Sequence, residues 1–154
     1  MRNIIEQIEQ KYSHVSISGS NFTDHGCTVK FDNLSDYIAL RSEFLCKNPE
    51  NMCDCIVFRA SDGIIIGAIE LKIETKARRA MNQLANGIKL ALGILQEICG
   101  NKPKRMLYII LLHNGGWHQS EIRKISKGIV IEGKKYHINM QRCGYSFYKA
   151  IANK

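Results

Sequence analysis

No stretch of the chain approaches the roughly 20 consecutive apolar residues that a bilayer-spanning helix needs, so a membrane-embedded role is not expected. The opening residues, MRNIIEQIEQKY, set Glu6 and Glu9 among the isoleucines, which is not the pattern of a secretory signal. There is no internal repeat, no low-complexity segment and no long linker, which argues against a repeat architecture. Six cysteines occur without the dense, regular spacing of a small disulfide scaffold, and none forms a Cys-x2-Cys pair. They read as reduced thiols in a cytoplasmic protein. Acidic residues are scarce: 14 Asp and Glu stand against 22 Lys and Arg, a net charge of +8. That excess favours polyanionic partners, of which nucleic acid is the commonest.

The 154 residues, 45% of them apolar, suit one domain with one core, spanning 1–154. The pattern predicts an amphipathic helix over 2–12 with Ile4, Ile5 and Ile8 on one face. A strand in which Cys27, Val29 and Phe31 share a face follows, then a second helix from Leu34 to Lys47, capped by Asp32 or Asn33 and stopped before Pro49. A long helix from Lys76 to Cys99 is the clearest element. It carries Met81, Leu84, Ile88, Leu92, Leu95 and Ile98 at helical spacing, with Gly100 and Pro103 as its stop. RMLYIILL (105–112) reads as a strand covered on both faces. Residues 117–128 are polar, Glu132-Gly133 looks like a hairpin turn, and SFYKAIA suggests a final helical turn. The order implies an α/β fold, a central mixed sheet flanked by helices.

The stretch CDCIVFRASDGIIIGAIELKIE (53–74) reads as a buried β-hairpin, yet it places Asp54, Glu70 and Lys72 at the ends of its most hydrophobic strands. Two registers satisfy its turn. A two-residue Asp62-Gly63 loop pairs Ser61 with Ile64 and sets Asp54 opposite Leu71. A three-residue Ser61-Asp62-Gly63 loop, with Gly63 in the left-handed region, pairs Ala60 with Ile64 and sets Asp54 opposite Glu70. Apolar residues occupy the middle of both faces, so hydrophobicity does not choose between them. In the second register the two carboxylates lie on one face with Cβ atoms about 5 Å apart. They then repel, and either one takes up a proton or a cation sits between them. Mg²⁺ prefers such a site, a few carboxylates with water completing the shell. Lys72 points to the same side, and the Leu71 carbonyl between them is a further ligand candidate. Carboxylates, a divalent metal, a lysine and a basic protein point to phosphodiester hydrolysis.

With these residues in view, the chain resembles the PD-(D/E)XK nuclease superfamily, restriction-endonuclease-like and Holliday-junction-resolvase-like enzymes. Asp54 followed by Glu70-Leu71-Lys72 carries the likeness. It covers roughly residues 34–112, with a helix before the hairpin and one after it, and it departs from the motif in having Cys53 where the name-giving proline stands. The resemblance implies a restriction-endonuclease-like core and a Mg²⁺- or Mn²⁺-dependent endonuclease. DNA is the expected substrate ahead of RNA, and the metal would be held by Asp54, Glu70 and the Leu71 carbonyl, with Lys72 assisting the attacking water. It implies further that Gln83, on the following helix, and a glutamate from an early helix join the site. Glu43 is the nearest candidate for that glutamate, ahead of Glu6 and Glu9.

Lys76, Arg78 and Arg79 open the long helix and are candidates to grip phosphates. More basic ground lies at Lys102, Lys104, Arg105, Arg123, Lys124, Lys127, Lys134 and Lys135. Cys53 and Cys55 would face away from Asp54 as buried thiols rather than cluster ligands. A homodimer, or a partner that brings the target, is expected of so short an enzyme. The competing reading is a catalytically silent nucleic-acid-binding or assembly module on the same fold. A third is a small metal- or redox-linked regulator that uses the cysteines.

Overall fold

The computed structural model describes residues 3–72, 76–100 and 104–152, and of Lys72 only the backbone. Glu74, Lys102 and Pro103 lie outside the described residues. The centre is a five-stranded mixed sheet in the order β3-β4-β5-β6-β9. β3 (Tyr37–Leu40), β4 (Cys55–Ser61) and β5 (Gly63–Lys72) form an antiparallel meander. β6 (Arg105–His113) and β9 (Ile138–Arg142) continue it in parallel. Between β5 and β6 the chain crosses over through a helix of 23 residues, α2 (Ala77–Cys99), as a parallel connection requires. Among the described residues no helix is long and apolar enough to cross a membrane.

Alternation along the strands divides the core. Ile56, Phe58, Ile66, Ala68, Ile109 and Leu111 pack toward α2 and toward α1 (Ile4–Tyr12). The opposite face, with Val57, Ile69, Ile110 and Leu112, is covered by the hairpin of β1 (Asn21–Asp24) and β2 (Cys27–Lys30) and by the C-terminal α4 (Phe147–Ala152). Cys27, Val29 and Phe31 face this second layer together, as their spacing suggests. α2 lies close to the sheet because Gly87 has no side chain: a Cβ there would strike the sulfur of Cys53. A small antiparallel pair, β7 (Ile129–Ile131) and β8 (Lys134–Tyr136), turns at Glu132-Gly133, both with positive φ.

The β4–β5 register settles the two alternatives. Ala60 faces Ile64 and Cys55 faces Ile69, so Asp54 falls opposite Glu70. Gly63 takes the left-handed region with φ 105°, where a side chain is strained.

Four expectations are corrected. Residues 34–47 are not a helix but β3 followed by a 3-10 turn, Ser42–Leu45. The expected caps, Asp32 and Asn33, are turn residues, and positive φ at Asn33 and at Asp36 aims the chain into a short edge strand. The polar segment after Trp117 contains α3 (Gln119–Ser126), whose His118 cap accepts from Ser120 N–H. The cysteines are not all thiols: Cys27 and Cys143 form a disulfide, their Cα atoms 5.1 Å apart across 116 residues of sequence. Cys53 and Cys55 do not share a face either. Asp54 lies in a bend ahead of β4, which breaks the alternation, so Cys53 packs against α2 while Cys55 enters the opposite layer.

Candidate functional site

Regular pairing of β4 with β5 ends at Cys55 and Ile69, and beyond that point side chains take over from the backbone ladder. Asp54 N–H donates to Glu70 Oε1 at 3.1 Å, and Leu71 N–H donates to Asp54 Oδ2 at 2.8 Å. Each carboxylate thus spends one oxygen on the neighbouring strand's backbone. Both are nearly buried, Asp54 at 7% and Glu70 at 3% exposure. Burial pushes the Asp54 carboxyl above its ordinary range, and Asp24 adds to the rise. The Leu71 N–H, a hydrogen bond with Glu70 and the nearby His25 pull the other way. Burial dominates because a carboxylate stripped of water is costly unless fully paired. The same crowding reaches the thiol of Cys53, pushed up to about 12 by burial and by the Glu70 and Asp54 charges.

These two carboxylates form the floor of a cleft of about 280 Å³ at the end of the sheet. Its wall is built from several elements. The 3-10 turn Ser42–Leu45 is pinned beside the bend by Ser42 Oγ, which donates to the Cys53 carbonyl at 2.7 Å. That bond holds Glu43 at the cleft. The Glu43 carboxyl is raised by partial burial and by the Asp54 and Asp24 charges. A second 3-10 turn, Pro49–Asn51, is tied to α2, because Gln83 Nε2 donates to the Glu50 carbonyl at 3.0 Å and Asn86 Nδ2 to the Asn51 carbonyl at 2.7 Å. Gln83 lines the cleft at 5% exposure, and its Oε1 has no hydrogen-bond partner among the described residues. A buried acceptor left without a donor is unfavourable by about 1–3 kcal/mol.

Of the residues singled out in the sequence, Glu43, Asp54, Glu70, Leu71, Arg79 and Gln83 line this one cleft. Lys76 and Arg78 are exposed at the start of α2 but not on the cleft wall. The Lys72 backbone continues β5, paired with His113, and its side chain lies outside the described residues. Glu6 and Glu9 belong to α1, away from the cleft. Part of the outlying basic ground is paired locally, Arg105 with Glu132 at 2.9 Å and Lys124 with Glu121 at 2.8 Å.

Sequence reasoning missed Asp24 and His25. They sit at the tip of the β1–β2 hairpin, where His25 and Gly26 both have positive φ in a tight turn between Asp24 and Cys27. Asp-His-Gly was visible as a turn signal. Only the packing of this hairpin on the sheet, through Phe22, Cys27 and Val29, brings it beside Asp54. Ligand atoms of Asp24, His25 and Asp54 lie within 4.8 Å of one another.

The cleft therefore gathers four carboxylates (Glu43, Glu50, Asp54 and Glu70) with His25 and Arg79, in a chain whose net charge is +8. Such a concentration of negative charge in a positive protein suits a cation, and oxygen donors of this kind suit a hard one. Comparison of the chain with family models, with curated proteins and with solved structures gives no match.

Proposed function

We propose that the chain is a divalent-metal-dependent nuclease that hydrolyses phosphodiester bonds, in DNA ahead of RNA, through the cleft at the ends of β4 and β5. One observation carries the reading. Two nearly buried carboxylates, Asp54 and Glu70, are locked together by reciprocal bonds to each other's strand on the floor of an acidic cleft in a basic chain. The donor set fits Mg²⁺ or Mn²⁺, which Asp54, Glu70 and the Leu71 carbonyl would hold. When bound, the ion supplies charge neutralisation at the phosphoryl group and lowers the pKa of water.

The chain's own residues have distinct parts. Asp54 and Glu70 are pre-positioned by backbone donors, so little reorganisation is needed on binding. Arg79, on the cleft wall, balances charge on the phosphate being cleaved. Lys76 and Arg78, exposed beside it at the start of α2, hold flanking phosphates and position the strand without reading sequence. Lys72 takes the part that the resemblance to PD-(D/E)XK enzymes implies, orienting the attacking water. Gln83 Oε1 accepts a hydrogen bond from a water or substrate group in the cleft. Glu43, held at the rim, joins the carboxylate set. Hydrolysis adds water at phosphorus and breaks the bond to the leaving oxygen, which takes a proton. Cutting both strands of a duplex requires two such clefts, hence a homodimer or a partner protein that presents the target.

The test is a panel of labelled duplex, single-stranded and branched DNA, with RNA, incubated with Mg²⁺ or Mn²⁺. Cleavage that EDTA stops and that Lys72→Ala lacks is expected. Binding of the same substrates without cleavage under every condition would instead favour the catalytically silent module.

A further inference from the structure

The hairpin tip that sequence reasoning passed over carries its own chemistry. His25 Nε2 lies 3.6 Å from Asp24 Oδ2, and both residues offer ligand atoms within 4.8 Å of Asp54. Two ligands on one first-row ion, with bonds of about 2.1 Å, stand roughly 3 Å apart when adjacent and about 4.2 Å when opposed. On one ion the Asp24–His25 pair would thus close by about half an ångström, and the pairs with Asp54, bounded at 4.8 Å, by up to about 2 Å. The cleft that His25 and Asp54 line is also lined by Gln83, 5% exposed, whose Oε1 has no hydrogen-bond partner among the described residues. Water on a bound cation supplies such a donor.

We infer that Asp24, His25 and Asp54 form a transition-metal site at the mouth of the cleft, with Asp54 shared between it and the Asp54–Glu70 pair. The inference rests on the nuclease reading only for its consequence, that this arm sets which metal the enzyme uses. An imidazole nitrogen discriminates where carboxylates do not: nitrogen donors suit Mn²⁺, Fe²⁺ or Zn²⁺, whereas Mg²⁺ keeps to oxygen and water. The ligands come from two layers of the fold. Asp54 is fixed by the Leu71 N–H on the sheet, and His25 stands on a separate hairpin. That hairpin is docked by the Cys27–Cys143 disulfide and by Gly144 N–H, which donates to the Thr28 carbonyl at 2.6 Å.

The experiment uses the 154-residue chain, stripped of metal and titrated with Mn²⁺, with free Mn²⁺ read by electron paramagnetic resonance and Mg²⁺ added as competitor. His25→Asn and Asp24→Asn are compared with Glu70→Gln, and folding is checked by circular dichroism. Asn tolerates the positive φ of position 25, so that variant retains the turn. The expected result is Mn²⁺ affinity weakened about 10- to 100-fold by His25→Asn, little change in Mg²⁺ affinity, and a His25-dependent Mn²⁺ site surviving in Glu70→Gln. In the wild type, substoichiometric Mn²⁺ should broaden the His25 ring resonances in NMR before those of His118 and His137. Unchanged Mn²⁺ affinity in both hairpin variants, or equal broadening of all three histidines, overturns the inference. Cleavage in Mg²⁺ is scored separately. A protein that cuts nothing but binds Mn²⁺ through His25 would sink the nuclease reading and leave this site standing. A protein that cuts DNA in Mg²⁺, loses this with Glu70→Gln and binds Mn²⁺ without His25 would do the reverse.

Discussion

Asp54→Asn should make the metal-free protein more stable while removing its chemistry. Two unit charges about 5 Å apart at an effective dielectric constant of 20 repel by roughly 3 kcal/mol, and the backbone N–H donors to Glu70 Oε1 and Asp54 Oδ2 offset part of this. Asparagine retains an oxygen for the Leu71 N–H, which Asp54 Oδ2 accepts at 2.8 Å, and offers its amide to the Glu70 carboxylate. The backbone donors already offset part of the repulsion, so the net gain expected at pH 7 is about 1–2 kcal/mol. For a chain of this length that is a rise in Tm of about 3–8 °C. Thermal unfolding in EDTA, followed by circular dichroism or calorimetry, measures it. An unchanged or lowered Tm for a correctly folded Asp54→Asn would refute the claim that the carboxylate pair is held against its own electrostatics.

The pH dependence follows from the same group. Asp54 titrates higher in the folded chain than in the unfolded one, so its stabilisation is complete below the unfolded value and is lost as pH rises through the folded value. Stability of the metal-free protein should therefore decline across that acid-side window, and the decline should shrink in Asp54→Asn. Saturating Mg²⁺ at about 100 times its Kd should add roughly 2.7 kcal/mol to the wild type at neutral pH, measurable as a shift in Tm that Asp54→Asn lacks. Gly87→Val should drive a side chain into the buried sulfur of Cys53, lowering stability by roughly 1–3 kcal/mol in denaturant titrations and moving the bend that carries Asp54. Cys143→Ser opens a link spanning 116 residues. A loss of about 2–5 kcal/mol is expected on denaturation, and reductant should produce it in the wild type but not in the variant.

What the sequence reveals follows the range of the interactions. The β4–β5 hairpin and α2 are legible because a glycine turn at Gly63 and a long apolar stripe are local signals. The choice between the two hairpin registers was not, since both faces are apolar at mid-strand. It falls to Ala60 opposite Ile64, the pairing that puts Asp54 across from Glu70. β3 was misread as a helix because four residues, Tyr37–Leu40, are too few for period two to separate from period 3.6. α3 escaped notice because Ile122 and Ile125 are the only strongly apolar residues in its polar stretch. The Cys27–Cys143 bond and the approach of Asp24 and His25 to Asp54 leave no local trace. Both depend on a hairpin from one layer docking on a sheet whose other ligands come from residues 54–71.

The most direct measurement is single-turnover cleavage of labelled duplex DNA in Mn²⁺ by the wild type and by Asp54→Asn, with both proteins verified as folded. Cleavage by the wild type, lowered about 100-fold or more in a variant that melts higher, is the expected result. Equal cleavage by the two proteins would contradict the assignment of the cleft as the place where the phosphodiester is broken.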